Sequence, residues 1–183
     1  MLDPFLTASL AVGGGLFGAG IGAQVRAQRL RRHWVRAGLG MEERATGLAS
    51  LAAIPVIFPT ELHTAEATDT QLAVVVMRRF SEHPEAFGRR LADATRAHEP
   101  GWRIDYDLFA ATLVVDDRDA AVRAAARLGR AACGEESTMD LRIGIAMCPD
   151  DATDLLDAVD VATRRMRGFG LLTAVADQLG AAA

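Results

Sequence analysis

Residues 102–115 read WRIDYDLFAATLVV, two apolar runs that meet at Asp105, Tyr106 and Asp107 before the second run continues through Leu108 and Phe109. An apolar hairpin seldom carries two acids and a phenol at its bend unless something is bound or processed there. The plainer reading is a solvated hairpin end, at which Asp107 holds a single metal ion weakly at most; the residues alone leave both open. Elsewhere the reactive side chains are scattered. His33, His63, His83 and His98 share no close ligand spacing, and Cys133 and Cys148 form neither a CxxC nor a Cys/His arrangement. Neither a metal site nor a disulfide framework is expected. All 20 basic residues are Arg, which excludes Schiff-base and P-loop lysine chemistry. The net charge of −4 gives no electrostatic case for nucleic acid.

The elements that must hold this hairpin are read from hydrophobic period. QLAVVVM, 71–77, reads as a buried strand. Pro84 sits where a helix can begin, Phe87, Leu91, Thr95 and His98 share one helical face, and Pro100-Gly101 ends it. The hairpin strands fall near 102–106 and 108–115, followed by an Ala-rich helix over about 117–132 opened by Asp116 and Asp117. LRIGIAM, 141–147, is another strand. A helix over 152–167 places Leu155, Leu156, Val159, Ala162, Thr163 and Met166 on one stripe, with Asp150 or Asp151 as N-cap. LLTAVA, 171–176, reads as a last short strand. This order predicts an α/β (α+β) fold of ferredoxin-like or palm type, a βαββαβ antiparallel sheet with helices on one face. With 183 residues, half of them hydrophobic and few aromatic, the core must be built from Ala, Val, Leu and Ile.

Residues 4–23 carry no charge and are long enough to cross a hydrocarbon core about 30 Å thick as a helix. Arg26, Arg29, Arg31, Arg32 and Arg36 follow, whereas only Asp3 precedes, so the positive-inside rule places the body in the cytoplasm. Basic residues on this side fit an uncleaved anchor and not a signal peptide. Gly14, Gly18 and Gly22 form two overlapping GxxxG steps that suit close helix–helix approach. The expected organisation is a transmembrane anchor over 1–25, an Arg-rich juxtamembrane linker over 26–41, one folded domain over 42–176 and a tail over 177–183.

The segment LRIGIAMCPDDATDLLDAVDVATRRMRGFG, 141–170, resembles the C-terminal end of GGDEF domains, the diguanylate cyclase family. There a "SIGIA" strand is followed by Pro-Asp, an "LL..AD.A" helix and a basic residue before a glycine; Ile143 to Ala146, Leu155, Leu156, Asp160, Ala162 and Arg167 match. Thr46-Gly47-Leu48 is similar to the family's opening "D.LTGL.NR", with Glu43 in the acid slot and Ser50 and Leu51 for Asn and Arg. LAVVVMRRF, 72–80, looks like the strand ending in "D.D.F", and DYDLF, 105–109, falls on the GGDEF signature itself. The resemblance spans about residues 42–175.

The resemblance implies a fold whose chemistry this chain lacks. A working cyclase of this family binds GTP beside the signature glycines, where only Gly allows close approach, and holds divalent metals with carboxylates from two strands. Here the glycine positions are Asp105 and Tyr106, the first-strand acids are Val76 and Arg78, and of the signature acids only Asp107 remains, Leu108 replacing the other. The stretch between Phe80 and Leu91 is shorter than the family pattern and lacks its guanine-reading Asn-Asp pair; Arg167 replaces the late lysine. The chain is therefore expected to be a degenerate, catalytically inactive member at a bacterial inner membrane, single-pass, acting on itself or on a membrane protein partner and using no cofactor. An alternative also follows from the resemblance. Many GGDEF domains bind cyclic di-GMP through an RxxD motif five residues before the signature, and Arg96 and Glu99 keep that register with Glu for Asp. Two such residues also make an ordinary helical ion pair.

Overall fold

Leu72 to Met77 are buried without interruption because β1 (Gln71–Arg79) is the central strand of a five-stranded sheet. The computed structural model describes residues 42–80, 83–96, 99–135 and 138–181. The expected anchor and linker, with Gly14, Gly18 and Gly22, lie outside the described residues, as do His33 and His98. No helix among the described residues is long and apolar enough to cross a membrane.

The other strands are β2 (Gly101–Arg103), β3 (Leu108–Val115), β4 (Leu141–Cys148) and β5 (Arg167–Gly168), in the spatial order β2-β3-β1-β4-β5. Every pairing is antiparallel. The helices are α1 (Ile54–Ala67), α2 (Pro84–Ala94), α3 (Arg118–Cys133), α4 (Leu155–Arg164) and α5 (Phe169–Ala181).

Successive strand side chains point to opposite faces, and here both sets are apolar. Ala73, Val75 and Met77 join Phe109, Leu113, Ile143 and Ile145 under Phe87 and Leu91 of α2 and Leu128 of α3. Leu72, Val74 and Val76 face the other way, where α1 and α4 lie on the sheet and bury Ile57, Phe58, Leu155 and Val159. The helices thus cover both faces, not one, because a strand with two apolar faces must bury both. Contact is closest at Gly144, where an added Cβ would stand 1.9 Å from the Ala162 carbonyl oxygen.

LLTAVA does not form a strand. The sheet ends with the two residues of β5, and 171–176 lies inside α5, which starts at Phe169 and runs along α3. Gly129 of α3 leaves the space that the Phe169 ring fills, since a Cβ there would meet that ring at 2.5 Å. Helix α1 was hidden by two prolines, of which Pro55 sits in the first turn, where its missing N–H costs nothing. Helix α2 stops at Ala94, with Thr95 extended, so Thr95 leaves the expected face. Helix α4 begins at Leu155, capped by the Asp154 side chain, which accepts from Asp157 N at 3.0 Å.

Asp151, one of the two residues expected as that cap, instead closes the sheet. Beyond Ile143 the outer edge of β4 has no strand partner among the described residues. Asp151 takes its place: its Oδ2 accepts from Met147 N at 2.8 Å and its own N–H donates to Met147 O at 2.7 Å. Arg165 Nη2 donates to Asp151 Oδ1 at 2.8 Å and orients the carboxylate. An edge so blocked is a poor template for another strand.

Candidate functional site

The hairpin bend is tight. Ile104 N and Asp105 N donate to Leu108 O at 2.8 and 3.1 Å, and Arg79 N donates to Asp107 O at 3.0 Å, tying the bend to the end of β1. Strand register then fixes a row: Leu108 of β3, Arg78 of β1 and Arg142 of β4 are neighbours. One step inward, Val76 sits fully buried between Ala110 and Gly144. Asp107 projects beside this row, its Oδ2 3.6 Å from Arg78 Nε. The signature positions, the first-strand positions and the end of β4 therefore converge on one end of the sheet.

This arrangement does not fit a pair of divalent metals. Val76 and Leu108 bring no oxygen, and the Asp107 carboxylate faces the Arg78 guanidinium, which carries the charge an ion would supply. Among the described residues no three or more His, Cys, Asp or Glu side chains converge as metal ligands.

Asp105 and Tyr106 are held in place from behind by Arg103. Its Nε donates to Asp105 O at 3.3 Å and its Nη2 to Tyr106 O at 3.0 Å, while its guanidinium lies 5.5 Å from the Tyr106 ring centre. The same guanidinium pairs with Glu43 at 3.2 Å and Glu85 at 3.4 Å. Glu43, in the acid slot before Thr46-Gly47-Leu48, also accepts from the Thr46 hydroxyl. Glu85 has its carboxyl held below the usual range by its own backbone N–H, with Arg103 adding to the effect. Asp105 turns its Oδ1 back to Tyr106 N at 2.7 Å. Tyr106 and Phe80 stand largely exposed at this end of the sheet.

Arg96 and Glu99 do come together, but in a loop and not on a helix. Glu99 Oε2 accepts from Arg96 N at 2.9 Å, and Arg96 Nε lies 3.8 Å from Oε1. Arg127 of α3 donates to both Glu99 oxygens, at 3.2 and 3.1 Å, and to Ala94 O at 3.2 Å. The Glu99 side chain is 7% exposed and that of Arg96 64% exposed. The pair thus divides: the acid faces the body and the guanidinium faces solvent.

Sequence reading passed over Arg103, Arg127 and Arg142. Arg103 lies two residues before Asp105, close enough for its side chain to reach the bend, and that proximity was the available signal. Arg127 and Arg142 gave none, because only the fold brings α3 to Glu99 and β4 to Arg78.

No protein-family model and no curated protein matches the chain. Solved structures do. A sensory box/GGDEF family protein from Caulobacter crescentus is 21% identical over 68% of this chain and 94% of that one, with a TM-score of 0.56. The GGDEF domain of TpbB (YfiN) from Pseudomonas aeruginosa is 23% identical over 69% of this chain and 91% of that one, at 0.53. The diguanylate cyclase SiaD from Pseudomonas aeruginosa, in complex with its activator SiaC, is 13% identical over 92% of this chain and 73% of that one, also at 0.53. The five-stranded antiparallel sheet with its helices has the fold of these GGDEF domains.

Proposed function

We propose that this chain is a non-catalytic GGDEF-fold signalling module that acts by association, carried at the cytoplasmic side of a bacterial inner membrane by its N-terminal segment. The observation that carries this reading is Arg78 beside Asp107, with Val76 and Leu108 where a cyclase of this fold needs carboxylates. Phosphoryl transfer on such a scaffold depends on metal-borne charge stabilisation, and these side chains offer no second oxygen ligand. The membrane assignment rests on the uncharged stretch 4–23 and the arginines after it, and self-association on the Gly14, Gly18 and Gly22 face. SiaD was solved with a protein activator, which lends precedent to a protein partner on this fold. Full-length protein incubated with GTP and Mg²⁺ or Mn²⁺ is expected to form no cyclic di-GMP; chromatographic detection of that product refutes the reading.

A second reading, a cyclic di-GMP receptor, draws support from the exposed Arg96 guanidinium. It loses support from Glu99, whose two oxygens are engaged by Arg127 and by the loop backbone. Calorimetry decides it: binding abolished by Arg96→Ala establishes the receptor, and absence of binding removes it.

A further inference from the structure

We propose that α1 is a proton-gated element of the fold, docked on the sheet while Glu61 is neutral and loosened from it when Glu61 ionises, with the strands and the other helices staying in place. Glu61 stands four residues from Ile57 and four from Ala65, both buried. That spacing puts all three on one helix face, so the partly buried Glu61 side chain sits at the junction of helix and sheet. Nothing there answers a negative charge. Helix α1 packs on β1, on β3 and on the short turn Leu51–Ala53 that leads into it. On the covered face β1 presents Leu72, Val74 and Val76, and β3 presents Ala110, Thr112 and Val114; the turn carries no titratable group. Arg78, at the far end of the same face of β1, is turned to Asp107. His63, Glu66 and Asp69, on α1 or just after it, are exposed. Asp157, Asp160 and Arg164 of α4 line a separate groove with residues 149–153. Among the described residues Glu61 has neither a hydrogen-bond nor an ion-pair partner, and burial alone raises its carboxyl to about 7.

Two neutral groups weaken the same junction. The Thr112 hydroxyl and the Trp102 indole N–H are buried without a hydrogen-bond partner among the described residues. Trp102 stands opposite Ala110, two residues before Thr112 on β3, so these side chains leave the sheet on one side, the side that α1 covers. Unmet polar groups lower the stability of the packing that buries them. Within α1, Pro59 has no N–H to offer the Pro55 carbonyl, so the helix lacks one of its own hydrogen bonds. Segments held in this way are the ones that open locally. The docked helix keeps a proton that Glu61, once in water, releases near 4.5. Docking is therefore firmest at low pH and weakens as pH rises through about 7. The covalent path from the N-terminal residues to the sheet runs through α1, so the gate acts on the segment that joins them. It does so whether or not the chain forms cyclic di-GMP.

Hydrogen/deuterium exchange of the full-length protein, read by mass spectrometry at about pH 5.5 and about pH 8 and corrected for intrinsic exchange rates, tests the gate. Protection of peptides from 54–67 is expected to fall more than about tenfold between the two conditions, with β1 and β4 unchanged. Glu61→Gln, whose amide matches the neutral carboxyl in shape, is expected to keep α1 protected in both. Glu66→Gln, exposed on the same helix, is expected to behave as wild type. Undiminished α1 protection at the higher pH overturns the proposal, as does a Glu61→Gln variant that loses protection like wild type. So does joint loss from α1 and β1, which marks global unfolding, and so does an α1 already unprotected at the lower pH.

Discussion

Arg78 of β1 stands directly across from Leu108 of β3 and brings its Nε to 3.6 Å from the Asp107 carboxylate. The positive charge that faces Asp107 is thus carried by the chain itself, and Leu108 beside it carries no oxygen. The hairpin keeps its shape through Arg103 and Arg78, neither of which needs an ion to do so.

Glu99 and Arg127 give a first prediction. Removing the guanidinium leaves a nearly buried carboxylate facing the end of α2 without its main partner. Arg127→Ala is expected to lower unfolding free energy by about 2–3 kcal/mol, read as a lower midpoint in urea. Arg96→Ala, at an exposed position, is expected to change it by less than about 0.5 kcal/mol. Equal losses from the two variants would contradict the structural role assigned to Glu99.

Gly144 gives a second. An added methyl would meet the Ala162 carbonyl of α4 at 1.9 Å, and backbone cannot rotate away as a side chain can. Gly144→Ala is expected to cost about 3 kcal/mol or more. Wild-type stability in this variant would mean that α4 does not lie on β4 as described.

How far the sequence could be read depended on where the information lay. The Val run of β1, the apolar hairpin strands and the LRIGIAM strand were legible because a buried strand needs nothing beyond its own side chains to announce itself. Helix α1 was not, since Pro55 and Pro59 signal against a helix and only packing on the sheet overrides that signal. LLTAVA was misread for the converse reason: a short run with Thr173 and Val175 suits a strand, but among the described residues no strand lies beyond β5 to pair with it, whereas α3 leaves space at Gly129. At the site, Val76, Arg78 and Leu108 were singled out only by the resemblance to the GGDEF pattern, since the strand period by itself marks them as nothing more than edge-of-core residues. The engagement of Glu99 by Arg127, and the meeting of Arg78 with Arg142, depend on contacts between distant segments that no local pattern encodes.

Glu61 carries a pH prediction. It lies on the inner stripe of α1 between Ile57 and Ala65, both buried, and burial raises its carboxyl to about 7. A raised carboxyl means that the folded state holds a proton that the unfolded state releases near pH 4.5. Stability is therefore expected to fall as pH rises from about 4.5 to about 7 and to stay low above that. Glu61→Gln removes the ionisation and is expected to gain about 2 kcal/mol over wild type at pH 8, with no difference at pH 4. Denaturant midpoints across this range check it; parallel curves for the two proteins would contradict it.

Asp151 moves in the opposite sense. Its hydrogen bond from Arg165, aided by Met147 N–H, lowers its carboxyl from 3.8 to about 2. The stability it contributes is complete above about pH 4 and is lost as pH falls toward 2. Asp151→Asn is expected to be less stable than wild type at pH 7, with the two converging near pH 2. Arg165→Ala is expected to show the same convergence, and a pH-independent gap between wild type and Asp151→Asn would contradict the assignment.

Whether the Arg78 guanidinium stands in for a metal ion beside Asp107 is decided by Mn²⁺ binding followed by electron paramagnetic resonance. Wild-type full-length protein is expected to leave the free-ion spectrum of Mn²⁺ unchanged at equimolar metal, whereas a variant carrying Val76→Asp, Arg78→Asp and Leu108→Glu is expected to quench it by binding the ion. Quenching by the wild type that disappears in Asp107→Asn would show a working metal site at the hairpin and would contradict the account.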